Sequence, residues 1–250
     1  MTTTLIFWFA WWVCAWADPL DDASAITTEA TALYAEGRLK EATALFRDSL
    51  ALRKANLPAD HHDVVSSLNN LSVVLQMTGD YQGAKPIYDE TIAIRRRRVS
   101  DASDPGDESW SELATSLSNL ASLHERLGAF DDARALYVEA LDIRRASSLV
   151  DDSPEADNRL ATTLNGLAGL LQAMGELSLA RAHQTEALEV WRGFLGDEPH
   201  RQMAIGLSNL AGILRYEGDV VASRLRYEQS IQQTITRPWG SPNRIWRCCS

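Results

Sequence analysis

Five glycines, Gly37, Gly79, Gly128, Gly175 and Gly218, recur at separations of 42, 49, 47 and 43 residues, each inside the same phrase. The clearest copies run over residues 68–94, 117–143, 164–190 and 207–231. A fifth, over 26–52, keeps the second half of the phrase but carries Glu29 where the others have Leu. A chain that repeats one phrase at near-constant spacing builds the same small unit again and stacks it, and its end units depart from consensus because one side faces solvent.

Each copy reads as a pair of helices. In the third, Leu113, Leu117, Leu120 and Leu127 form an apolar stripe at helical spacing. Gly128 ends that helix, because glycine enters the left-handed conformation without a steric penalty. Phe130 opens the second helix, Ala133 and Ala140 are small where the pair crosses, and Tyr137 and Leu141 fill the space against the next pair. Such a hairpin shows too much apolar surface to stand alone and buries it on its neighbour.

The phrase is a leucine, a small residue, a glycine eight residues on, an aromatic two later, then Ala, aromatic, Ala. It resembles the tetratricopeptide (TPR) repeat. The core period near 42 and the run Ser67-Leu68-Asn69-Asn70-Leu71 resemble the kinesin-light-chain subtype. The linker Leu57 to Val65 is similar to that subtype's "H-P-x-V-A" linker, without the proline after His61 and His62. The resemblance implies an all-α fold, a right-handed superhelical solenoid of about five TPR hairpins, with repeats near 26–53, 65–98, 113–146, 160–192 and 203–235. It implies a protein-interaction scaffold that needs no cofactor. Proteins of this subtype include cargo adaptors and exported bacterial proteins.

Residues 1–17 stand apart. Leu5 to Ala17 is uncharged and apolar. Thirteen residues at ~1.5 Å each fall short of a hydrocarbon core of roughly 30 Å. The stretch fits the apolar core of a signal peptide, and Ala15-Trp16-Ala17 fits its cleavage site, although Thr2, Thr3 and Thr4 stand where Lys or Arg is usual. Export with Asp18 as the mature N-terminus is expected, with residues 18–25 as a linker. The alternatives are an uncleaved membrane anchor or lipidation at Cys14, where Val13 is bulky for the latter. Cys248 and Cys249 lie together in an irregular tail, 236–250, so the body has no disulfide framework. In that tail, Trp239 and Trp246 are candidates to fold over the last apolar face.

The net charge of -10 repels phosphate backbones and excludes nucleic acid as the expected partner. Val99 to Ser109 and Leu149 to Asn158 are acidic, contain proline and read as loops. Arg95 to Arg98 and Arg144-Arg145, just before them, read as cations at helix C-termini. His61, His62 and Asp63 are adjacent, a spacing that points metal-ligating side chains apart. His124 reads as core. No Cys-His pair, nucleophile elbow, P-loop or dinucleotide glycine motif occurs, so neither a metal nor catalysis is expected, an enzyme being the reading from another class.

In stacked hairpins the first helices line the concave side. Registering the copies on their glycines puts Asn69, Asn70 and Gln76; Asn119, Glu125 and Arg126; Asn165 and Gln172; and Asn209, Arg215 and Tyr216 in that groove. A side-chain amide both donates and accepts, so a ladder of asparagines can hold an extended peptide backbone; the resemblance implies the same use. The clamp of chaperone-binding TPR proteins needs a Lys one turn after Asn69, and Val73 stands there. A peptide or protein partner is thus expected, with self-association as the runner-up.

Overall fold

The computed structural model describes residues 18–101, 108–151, 153–196 and 199–235. The first seventeen residues and the 236–250 tail, with the expectations attached to them, lie outside the described residues. Among these the chain is all-α, ten helices paired into five hairpins with no strand. It divides into two compact units, residues 1–101 and 102–250. The first holds α1 (Pro19–Ala35), α2 (Leu39–Asn56), α3 (His62–Thr78) and α4 (Tyr81–Asp101). The second holds α5 (Glu108–Arg126), α6 (Phe130–Ser148), α7 (Pro154–Ala173), α8 (Leu177–Leu195), α9 (Arg201–Tyr216) and α10 (Val220–Ile235).

The five repeat glycines all have positive φ, between 76° and 87°, and each closes the first helix of a hairpin. Start signals are equally local. Asp18 caps α1, accepting from Leu20 N at 2.9 Å, so the segment expected as a linker is the first turn of a helix. His61 and His200 cap α3 and α9 through Nδ1, which gives both histidines a structural role. Ser153 caps α7 and Pro154 follows at N1, so this proline opens a helix inside the stretch expected as a loop; its missing N–H would have had no partner there in any case. Likewise α4 continues to Asp101 and α5 begins at Glu108, which shortens the other expected loop.

Within each unit, helices pack against their sequence neighbours, and in the second unit successive first helices, α5 with α7 and α7 with α9, also touch. Ala133, Ala140, Ala180 and Ala187 are fully buried at the crossings. The outer hairpins put Ser49 and Ser230 at the equivalent point, and these hydroxyls donate to Ala23 O and Ala204 O at 2.9 and 2.8 Å. Of the side chains nine residues after each glycine, Phe46, Tyr88 and Tyr137 are buried, Tyr137 against Gly166 of the following hairpin, while Tyr227 on the last hairpin is 39% exposed. Ion pairs tie hairpins along the outside, Lys54 to Glu90, Arg134 to Glu176, Arg145 to Glu186 and Arg181 to Glu217, at 2.7 to 3.0 Å.

Not every arginine before a loop is a solvated cation. Sixteen residues after three of the glycines, Arg53, Arg95 and Arg144 are 4 to 8% exposed. Arg53 donates to Ser67 Oγ at 2.6 Å. Arg144 donates to Ser111 Oγ and Thr115 Oγ1, each at 2.6 Å, and among the described residues no carboxylate pairs with it. Burial, with Arg159 nearby, lowers its pKa to about 10. In the fourth hairpin the same position is Trp191, and the residue facing it in the next helix is Gly206, whose absent Cβ would lie 2.9 Å from the ring.

Candidate binding face

The described first helices of the second unit, α5, α7 and α9, lie side by side and carry eight of the residues expected in a groove. Asn119, Glu125, Asn165, Gln172 and Asn209 are half-buried, and Arg126, Arg215 and Tyr216 are exposed. The α3 trio, Asn69, Asn70 and Gln76, is half-buried in the first unit. The two sets belong to separate units.

In the second unit Asn209 Nδ2 donates to Asn165 Oδ1 at 2.9 Å, which bridges α9 and α7. Gln184 Nε2, from α8, donates to the same oxygen at 3.1 Å. Asn165 Nδ2 and Asn209 Oδ1 have no partner among the described residues and reach solvent. Gln172 approaches α9 at Gly212, its Nε2 lying 3.6 Å from where a Cβ would be. On α9, the Arg215 guanidinium sits over the Tyr216 ring, 5.3 Å from its centroid. On α5, burial raises the pKa of the Glu125 carboxyl, and Arg126 partly offsets this. The Tyr137 phenol, which bonds to Ser122, is also pushed up, first by burial and then by Glu125.

Register on the glycines separates the asparagines. Asn70, Asn119 and Asn209 lie nine residues before their glycine, whereas Asn165 lies ten before and Gly166 takes the ninth place. The amides expected at matched positions in four repeats are therefore offset in one. The reason is steric: a Cβ at residue 166 would come within 2.9 Å of the Tyr137 ring. In the first unit the ladder is differently committed. Gln76 Oε1 accepts from Tyr88 OH at 3.0 Å, and Asn69 Oδ1 is sealed from solvent without a partner.

Gln184 is the residue that sequence reading missed. It is fully buried where the other hairpins carry an aromatic. The signal was present as two departures in one hairpin, a polar residue in the aromatic column and an asparagine shifted by one.

Among the described residues no group of three or more His, Cys, Asp or Glu is placed to hold a metal ion, and no helix is long and apolar enough to cross a membrane.

Comparison with known proteins agrees with this architecture. Two tetratricopeptide repeat models match, one over residues 21–97 and 159–234 and the other over 113–155. No curated protein sequence matches. Among solved structures, a Podosopora anserina protein of nearly identical TPR-like repeats, described as of kinesin-light-chain type, is 19% identical with a TM-score of 0.67, covering 88% of this chain and 97% of that one. BtubC (BKLC) from P. vanneervenii is 19% identical with a TM-score of 0.69, covering 95% and 90%. A Rap protein complexed with competence and sporulation factor is 10% identical with a TM-score of 0.67, covering 84% and 53%. By its repeats and its fold, this chain belongs to the tetratricopeptide repeat family.

Proposed function

We propose that the chain is an exported, non-catalytic scaffold that holds an extended peptide or protein segment across α5, α7 and α9. The observation that carries this reading is the Asn165–Asn209 bond, which leaves one amide nitrogen and one amide oxygen open on the same face. An extended backbone offers the complementary carbonyl and N–H. The Rap neighbour, complexed with competence and sporulation factor, is a protein of this fold with a bound partner. Export rests on the apolar Leu5 to Ala17 run and the Ala15-Trp16-Ala17 site alone.

The test is selection of peptides from a random phage-displayed library on the mature chain, followed by binding to Asn119→Ala/Asn209→Ala. Each lost hydrogen bond weakens a groove peptide by roughly 3- to 10-fold. Selected peptides that bind the double variant unchanged would refute the groove. A second reading, end-to-end self-association, is favoured by the exposed Val221, Leu225 and Ile231 on α10. It requires oligomers in sedimentation that persist in the asparagine double variant.

A further inference from the structure

We infer that the fifteen residues after α10, through Trp239 and Trp246, cover the open end face of the last described hairpin. A joint between hairpins has an exit side and an entry side, and the fourth and fifth hairpins show which residues form them. Gly206 on α9, twelve residues before its repeat glycine, lies against Gln184, Leu188 and Trp191 on α8, which stand nine, thirteen and sixteen after theirs. The exit side is therefore that stripe of the second helix. Thirteen residues after the glycine stand Leu50, Ile92, Leu141 and Leu188, all buried, and then Ile231, which is 52% exposed. Tyr227, Ile231 and Thr234 repeat the stripe on α10 and lie open.

The other end of the array is closed by its own sequence. Fifteen and eight residues before the glycine, on the same first-helix stripe as Gly206, the second to fifth hairpins carry buried apolar side chains: Val64 and Leu71 in the second, Met203 and Leu210 in the fifth. The first hairpin has Asp22 and Glu29 there, both exposed. A repeat array needs a polar outer face at each end, and α1 supplies one where α10 does not. A second copy presenting its α1 would press those carboxylates onto Tyr227 and Ile231, which offer them no partner. It would also bring one net charge of -10 onto another. The tail has the opposite character. Residues 236–250 hold Trp239, Ile245 and Trp246 together with Arg237, Arg244 and Arg247, and no acid. They follow directly on Ile235, the last residue of α10, so their local concentration at the face is on the order of millimolar. Fifteen residues extend to about 50 Å, against roughly 24 Å for α10, which is long enough to run back over the whole stripe.

Backbone amide exchange in α10 of the full, nitrogen-15-labelled chain tests the inference. Two tryptophans buried on the face slow the opening of that helix, so Trp239→Ala/Trp246→Ala is expected to speed its exchange roughly 10- to 100-fold. Unchanged exchange would overturn the proposal. Ile231→Ala removes the contact from the other side, and in that background the tryptophan substitutions should lose at least about threefold of their effect. The full effect there would place the tryptophans elsewhere and overturn it too. Should a variant fail to fold, the wild-type chain decides: nuclear Overhauser contacts between the Ile231 δ-methyl and an indole ring are expected, and their absence refutes the cover. Sedimentation separates the other occupant. The full chain is expected to be a monomer, and a dimer that persists in Trp239→Ala/Trp246→Ala and dissociates in Ile231→Asp would give the face to a second copy. None of these readouts involves the asparagine face, so the peptide reading stands or falls apart from them.

Discussion

Two glycines in the interiors of facing helices have opposite surroundings, and they allow packing to be separated from helix propensity. Gly169 on α7 has nothing within 4 Å of a built Cβ. At Gly206 on α9 the same atom would lie 2.8 Å from Leu188 Cδ2, 2.9 Å from Trp191 Cζ3 and 3.2 Å from Gln184 Nε2. Alanine gains ~0.5–1 kcal/mol over glycine within a helix. Gly169→Ala should keep that gain. At position 206 the methyl meets side chains that cannot yield: Trp191 is 2% exposed and its Nε1 donates to Asn158 at 3.1 Å, and Leu188 is 4% exposed. Overpacking of this kind costs ~1–3 kcal/mol. Gly206→Ala is therefore net destabilising by up to ~2 kcal/mol, and the two variants should differ by ~1–3 kcal/mol. Urea unfolding followed by far-ultraviolet circular dichroism measures both, and a chain of this size shifts by about 2–4 °C per kcal/mol in melting temperature. A Gly206→Ala protein as stable as Gly169→Ala would refute the packing described at the joint between the fourth and fifth hairpins.

Arg144→Met should stay within ~1 kcal/mol of wild type, because it removes a buried charge that only two hydroxyls satisfy, whereas Arg144→Ala should cost ~2–4 kcal/mol through the cavity left; equal losses in chemical denaturation would contradict this. Glu125 is held above its ordinary pKa by burial, so its ionisation opposes folding. That opposition is absent below the unfolded value of 4.5, grows as pH rises through the folded pKa and is complete above it. Glu125→Gln should thus stabilise the chain at pH 7 and not at pH 4, as read from melting temperatures at the two pH values. Expression of the full chain in a Gram-negative host should yield a periplasmic protein beginning at Asp18 by mass spectrometry; an intact soluble chain would refute export.

The sequence made the hairpins legible because their determinants are local. A glycine with positive φ, an alanine at a crossing and an aromatic at a joint each act within their own repeat, so Gly128, Ala133 and Tyr137 could be placed from spacing alone. Helix starts were less visible, since Pro154 within an acidic stretch looks like a loop until Ser153 is seen to cap the helix it opens. Pairings across hairpins were hidden for a different reason. Whether Arg144 turns to Ser111 and Thr115 or to solvent depends on how two helices cross. Whether Asn165 belongs to the asparagine column depends on the Tyr137 ring beside Gly166. The residues expected in the groove do lie on first helices, half-buried or exposed, but the buried Gln184 that hydrogen-bonds one of them carries no local mark except that it is not aromatic.

The joint that includes Asn209 has a thermodynamic consequence. In the second unit the helices contact only their near neighbours, so unfolding can begin at an end and travel inward. The last described hairpin leaves Tyr227 and Ile231 exposed. It contributes Asn209, half of the open amide pair, so each fraying event dismantles the face and each occupant that spans Asn165 and Asn209 suppresses fraying. Affinity and the opening free energy of α9–α10 are then two readings of one equilibrium, and slower amide exchange in α10 would report an occupant bound on α7.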